Sequence, residues 1–379
     1  MRRQTGAVIW AGPAAINRSR AGFLLLTLAT ACARPPARPG AVIPAPELIG
    51  DTSGSWGDDQ VNPCVADVRG SLASLEARGA MLAFQLNDDP HLTRWGRHWQ
   101  GVQRGMGANS QYLFVSRSGA SAVVMVVRLP SRNSAGLRFG SNLPESGPPP
   151  ADDRVVAELP GEAGLTHGGG LQVVGNILGM PLDGKSGSRV VLYDIKTPEA
   201  PHRLAVLDHT DAQPPSDPHQ AANVGITRLK DGRYLLVIGV HSSKVLDFYV
   251  STTTSLRDSA LAFVRLATET SGVVRGFQSL NLVTQCDGAI YLVGTHNTAI
   301  PPPSMGKDFV RWYRLVSPGA GRVQFESPGS NHLQCRRCNF GAGGGLYLDA
   351  HGGLLVYGVE HLNSGPGHSV VVEEFGPPQ

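Results

Sequence analysis

Two stretches of this chain repeat one another in order and kind, and that repetition constrains the fold more than any other feature. From His219 the sequence reads HQAANVGITRL, a turn at Lys230-Asp231-Gly232, then YLLVIGVH and KVLDFYV. From Phe277 it reads FQSLNLVTQ, a turn at Asp287-Gly288, then AIYLVGTH and, after a loop, DFVRWYRL. Each unit carries Gln at its second place (Gln220, Gln278) and Asn at its fifth (Asn223, Asn281). Asp-Gly between apolar runs predicts a hairpin, with both central turn residues at positive φ. A supersecondary unit repeated in this way buries its apolar faces by packing against its neighbours.

Three further units follow the plan more loosely. One opens at His98 (HWQGVQRGM, YLFVSRS, AVVMVVRL) and one at His167 (HGGGLQVVG, ILGMPLD, SRVVLYDI, HRLAVLD). The last runs NFGAGGGLYLDA, a turn at His351-Gly352-Gly353, LLVYGVEH and SVVVEEF. The stretch SRVVLYDIKTPEAPHRLAVLD resembles repeats of secreted bacterial propellers of the LVIVD-like kind. That resemblance implies a fold and no activity. Units opening about 50 to 70 residues apart predict an all-β chain forming a single β-propeller. The count is five blades, or six if residues 50–90 hold a degenerate one. Because the last unit ends after its third strand, GAMLAFQLN (residues 79–87) is expected to close the ring as its fourth.

The composition agrees, with 47 Gly and 28 Pro among 379 residues and 17% charged, a profile of strands and tight turns. The formal net charge of +3 includes Arg2, Arg3, Arg18 and Arg20 of the leader; without them the balance is −1. No clustered basic face is expected, and so no nucleic-acid partner.

Residues 1–31 read as a signal peptide, with Arg18 and Arg20 before the apolar run AGFLLLTLATA. Cys32 follows Ala29-Thr30-Ala31 as in a bacterial lipobox, although Leu28 stands one place too far out. Cys32 is therefore a lipidation candidate, set against plain secretion or a periplasmic fate, and membrane association would arise only there. Residues 32–48 form a Pro/Ala-rich tether, 49–78 an N-terminal extension and 79–379 the propeller. Cys64, Cys286, Cys335 and Cys338 allow three pairings in an oxidising compartment. Structural bridging involving Cys64 is expected over a redox-active Cys335-Arg-Arg-Cys338.

In a propeller blade the innermost strand starts where the second strand ends, so two places per blade face one central funnel. The first place holds His98, His167, His219 and Phe277; the second holds Asp183, His241, His296, and Glu360 with His361. Neutral imidazole is a common transition-metal ligand. His98, His167, His219, His241 and His296 are thus candidate ligands for a divalent metal, Zn or Ca, with Glu360 and His361 as candidate catalytic groups. Trp95, Trp99, Gln278 and Asp183 are candidate ligand-binding residues. The competing reading is structural, with imidazoles holding neighbouring blades together. His167-Gly168-Gly169-Gly170 mimics an esterase oxyanion motif but lacks its GxSxG partner, so its glycines are read as close packing. The sequence supports an extracytoplasmic binding or interaction module with a His-rich funnel, presented to a small ligand or protein, and alternatively a metal-dependent hydrolase or lyase.

Overall fold

The structure is a computed structural model that describes residues 45–53, 64–86, 98–130, 137–143, 148–209, 221–240, 243–270, 276–298, 306–317, 322–361 and 369–378. The chain divides into two compact units, Met1–Val42 and Ile43–Gln379. The expected signal peptide, Cys32 and most of the tether lie outside the described residues, as do Trp95, His219, Gln220 and His241.

Among its described residues the second unit is all-β apart from one short helix, α1 (Val68–Ala73), and a 3-10 turn at Gly107–Asn109. Its antiparallel sheets have the arrangement of a β-propeller. β2 (Trp99–Arg104), β3 (Tyr112–Arg117), β4 (Val123–Arg128) and β5 (Arg154–Pro160) pair in succession. β6 (Leu165–Gly168) and β7 (Gln172–Val174) both pair with β8 (Ile177–Gly184), followed by β9 (Gly187–Asp194) and β10 (His202–Asp208). Four strands form the next sheet: β11 (Ala221–Arg228), β12 (Tyr234–Val240), β13 (Val245–Ser251) and β14 (Phe263–Glu269). Four more follow: β15 (Ser279–Thr284), β16 (Ile290–Asn297), β17 (Asp308–Val316) and β18 (Gln324–Leu333). The last group is β19 (Gly344–Leu348), β20 (Leu354–Val359) and β21 (Ser369–Phe375), and β1 (Ala80–Gln85) lies antiparallel to β21 over six residue pairs. β1 also touches β5 through one pair, Gln85 with Arg154.

Strand position explains burial. The inner strands β2, β11 and β15 are buried along almost their whole length, and the second strands β12 and β20 read as nearly continuous apolar runs because both faces are covered. The outer strands β10, β14 and β18 are half-buried or exposed along most of their length. The inner strands press together at glycines. A Cβ on Gly343 would stand 0.8 Å from the Gln100 carbonyl oxygen, and one on Gly169 would stand 1.8 Å from that of Ala222. Buried amides then tie these strands to each other. Gln172 accepts from the Ile226 and Leu282 N–H groups (2.7 and 3.0 Å) and donates to the Leu282 carbonyl (2.9 Å). Gln103 donates to Asn281 (3.2 Å), and Asn223 donates to the Phe277 carbonyl (2.9 Å). Close-packed backbone and hydrogen-bonded amides therefore occupy the middle of the inner strands.

The hairpin turns differ from the two-residue form expected. Gly232 and Gly288 have φ of +87°, but neither Asp231 nor Asp287 is in the left-handed region. Gly232 N–H donates to the Leu229 carbonyl, and Leu229 N–H donates to that of Arg233 (2.9 and 2.7 Å). Gln285–Ala289 and Asp349–Gly353 repeat the pattern. The extra residue lets the aspartate fold back: Asp287 accepts from the Ala289 N–H (2.8 Å).

These turns carry the N-terminal extension. Lys230 N–H donates to the Ile49 carbonyl, Gly50 N–H to that of Gly288, and Cys286 N–H to that of Val65 (2.9, 2.8 and 3.0 Å). Cys64 and Cys286 form a disulfide. Asp67 caps α1 by accepting from Gly70 N–H, and Asn331 reaches the Leu72 carbonyl beneath it. The other pair, Cys335 and Cys338, closes on itself instead of bridging distant parts. Its loop directs the N–H groups of Arg336, Arg337 and Cys338 at one oxygen of the buried Glu373. Both disulfides suit an oxidising, extracytoplasmic compartment.

Candidate functional site

The end of the inner strands opposite those turns gathers imidazoles. His98 sits immediately before β2, His167 lies in β6, and His361 follows β20. The His98 ring lies 5.0 Å from that of His361 and 5.8 Å from that of His167, centroid to centroid. Backbone bonds hold the cluster in place. Ser118 N–H donates to the His98 carbonyl, and Trp99 N–H donates to that of His361 (2.9 and 3.2 Å). The Gln100 amide contacts His98 Nε2.

Register brings in a carboxylate. His167 and Asp183 are direct partners across β6 and β8, so their side chains share a face. His167 Nδ1 lies 2.8 Å from Asp183 Oδ1. The contact is not aligned as a hydrogen bond, and both atoms are buried without another partner. Burial first, then the neighbouring His167 and His361, lowers the His98 pKa to about 4; burial lowers that of His361 too. His98 and His361 are therefore neutral at pH 7, the form that ligates metals and accepts protons.

The other candidates lie elsewhere. Glu360 is buried, its Oε1 accepting from Val371 N–H (2.8 Å) while its own N–H donates to the Val371 carbonyl (3.1 Å). That engagement fixes the segment bearing His361. Trp99 is 1% exposed within the apolar core, which leaves its ring no face for a ligand. Gln278 uses its N–H on the Thr295 carbonyl (3.1 Å). His296 is buried against Phe277 and Phe309, and no ring contact joins it to the His98 group. Its pKa is lowered to about 4, by burial and then by Arg311. Among the described residues no three His, Cys, Asp or Glu side chains converge in metal-ligand geometry. A cavity of about 600 Å³ beside Glu47, Asp287 and Arg314 lies at the turn end, away from the imidazoles.

The residues that sequence reasoning passed over are Gln172 and Gln103, which bond the inner strands together, and Phe309 and Arg311 on β17 beside His296. The alternation in DFVRWYRL carried the signal for the second pair. Nothing local marked the first.

No family model matches the chain, so the likeness to LVIVD-like repeats remains a resemblance. No curated protein matches it significantly either. Among solved structures, an exo-beta-1,3-galactanase from Clostridium thermocellum is similar over 79% of this chain and 62% of its own, at 12% identity and TM-score 0.41. The chain thus spans less than two thirds of that enzyme. The periplasmic gluconolactonase of Pseudomonas aeruginosa is similar over 72% of both chains, at 15% identity and TM-score 0.33. A structure from the GH130 family of mannoside phosphorylases, which contains glycoside hydrolases that target beta-1,2 mannosidic linkages in Candida mannan, is similar over 90% of this chain and 96% of its own, at 9% identity and TM-score 0.40. None of the three assigns an activity to this chain.

Proposed function

We propose that the protein is an extracytoplasmic five-bladed propeller that binds a small ligand at the end of its inner strands where His98, His167 and His361 meet. The observation that carries this reading is the grouping of these rings, drawn from three stretches far apart in the chain, with Asp183 against His167. Dividing the eight-stranded sheet at the single β1–β5 pair, which leaves β19–β21 completed by β1, supports a count of five. The N-terminal extension bonds to the turn end of the sheets holding β11 and β15, away from these imidazoles. Cys32 would anchor the mature chain if lipidated.

The second reading is a metal-dependent hydrolase or lyase with the same imidazoles as ligands and Glu360 or Asp183 as base. Ring spacing favours keeping it. Two imidazoles on one tetrahedral Zn, at Zn–N of about 2.1 Å, have centroids about 5.2 Å apart. The spacings here are 5.0 and 5.8 Å.

Elemental analysis of the untagged mature protein, with a His98→Ala, His361→Ala variant alongside, separates the two. Stoichiometric Zn or another transition metal, lost in the folded variant, supports the enzyme. A metal-free protein whose histidine ring NMR signals shift on adding a small-molecule library, and do not shift in the variant, supports the binding module. Identical behaviour of parent and variant in both assays overturns both.

A further inference from the structure

The two disulfides sit in opposite electrostatic surroundings. Between Cys335 and Cys338 stand Arg336 and Arg337, both exposed. Asp287 follows Cys286, Asp67 lies three residues after Cys64, and no Lys or Arg occurs within three residues of either of these cysteines. Cations beside a cysteine favour the thiolate, which is the form that attacks and leaves in disulfide exchange. Carboxylates oppose it. Accessibility alone does not separate the pairs, since Cys286 is exposed and Cys64 half-buried.

Within the short pair the two sulfurs differ. Cys335 is half-buried, whereas Cys338 is 8% exposed and lies over Gly358 of β20, where an added Cβ would stand 2.6 Å from its sulfur. An incoming thiol therefore meets Cys335 first, beside the two arginines. One carboxylate also lies at this loop. Glu373 is buried, its Oε1 accepting the three N–H groups described above and its Oε2 4.0 Å from Arg336 Nε. Two guanidinium groups against one carboxylate leave the loop net positive.

The loop has many holds besides its sulfur bond. Gln334 N–H donates to the Ala77 carbonyl and Asn339 N–H to that of Val359 (2.6 and 3.0 Å). Arg336 Nη2 donates to the Gly79 carbonyl (2.7 Å), and Glu373 gathers the N–H groups between. These bonds are available to the dithiol form as well as to the disulfide.

We propose that Cys335–Cys338 is a thiol–disulfide exchange site open to an external thiol or dithiol, while Cys64–Cys286 is a structural bridge. The external thiolate attacks Cys335 Sγ. The Cys335–Cys338 bond breaks, a mixed disulfide forms at Cys335, and Cys338 leaves as a thiolate. A second external thiol attacks the outer sulfur of that mixed disulfide and expels Cys335 as a thiolate beside Arg336 and Arg337. The two external thiols depart as one disulfide, oxidised by two electrons, and the protons they shed are taken up by Cys335 and Cys338. None of the imidazoles takes part, so this site stands apart from the ligand readings above.

The test equilibrates the mature protein in glutathione buffers of stepped composition, quenches with an alkylating agent and scores each cysteine peptide by mass spectrometry. Cys335–Cys338 is expected to be half-reduced at a thiol-to-disulfide ratio about tenfold or more below that needed for Cys64–Cys286, with circular dichroism unchanged. An Arg336→Gln, Arg337→Gln variant should need a ratio about threefold higher and react more slowly. A loop that only holds Glu373 would not respond to that change. Cys338→Ser should trap glutathione on Cys335, and Cys335→Ser should trap much less on Cys338. Reduction of both pairs together or in the reverse order, loss of the fold on reduction, an unchanged arginine variant, or equal trapping on the two cysteines each overturns the proposal.

Discussion

Asp183 faces His167 directly across the β6–β8 pair, with Oδ1 2.8 Å from Nδ1, although sixteen residues of chain separate them. The pairing orients His167 toward His98, whose ring stands 5.8 Å away. Asp183→Asn keeps the shape and removes the carboxylate that lies against His167 Nδ1. Loss of such an orienting carboxylate typically costs about 10–100-fold in affinity at metal sites. The variant is expected to bind the ligand or metal of this site tenfold or more weakly with its circular dichroism unchanged. Titration calorimetry with the species found by elemental analysis checks this.

Acid should unfold the protein early. Burial is the main cause that lowers His98 and His296 to about 4, against an ordinary histidine value near 6.5. Between those values the unfolded chain binds protons that the native one refuses. Stability is therefore intact above about pH 6.5, falls as pH drops toward 4, and levels off below. Each such group contributes up to about 1.4 kcal/mol per pH unit within that window. Urea melts at pH 7 and pH 5 should differ by roughly 1–3 kcal/mol, and His296→Leu should remove part of the difference. A flat profile would mean that both rings reach solvent.

Gly343→Ala tests how tightly the inner strands close. Its Cβ would lie 0.8 Å from the Gln100 carbonyl oxygen, so β19 and β2 must separate. The expected cost is above about 4 kcal/mol, or failure to fold. Gly276 is the contrast, with φ +77° and open space around it; Gly276→Ala should cost about 1 kcal/mol from backbone strain alone. Thermal melts of the two variants decide the matter.

The two disulfides should differ in worth. Cys64 and Cys286 are 222 residues apart, whereas Cys335 and Cys338 are three apart. Loop-closure entropy gives about 5 kcal/mol for the first and about 2 kcal/mol for the second. A Cys64→Ala, Cys286→Ala variant should also free the N-terminal extension, read as faster backbone exchange at residues 49–51 and 64–75. Equal losses from both pairs would show that the Cys335–Cys338 loop does more than hold Glu373.

The alternating apolar runs and Asp-Gly turns identified the strands and their order, because period-2 burial and turn chemistry are local properties. The rule that an inner strand starts where the second strand ends placed His167 beside Asp183 and Phe277 beside His296 from spacing alone. The turn form was not legible, since an Asp-Gly pair suits more than one hairpin length and neighbouring bonds to Ile49 and Gly288 are long-range. Nor was it legible that Trp99 is enclosed or that Glu360 is occupied by Val371, because each depends on what another strand brings alongside. Which of the many histidines meet was decided by tertiary structure for the same reason. His98, His167 and His361 come from three distant stretches of chain, so only the packing of their strands sets their separations, while His296 is buried against Phe277 and Phe309 instead.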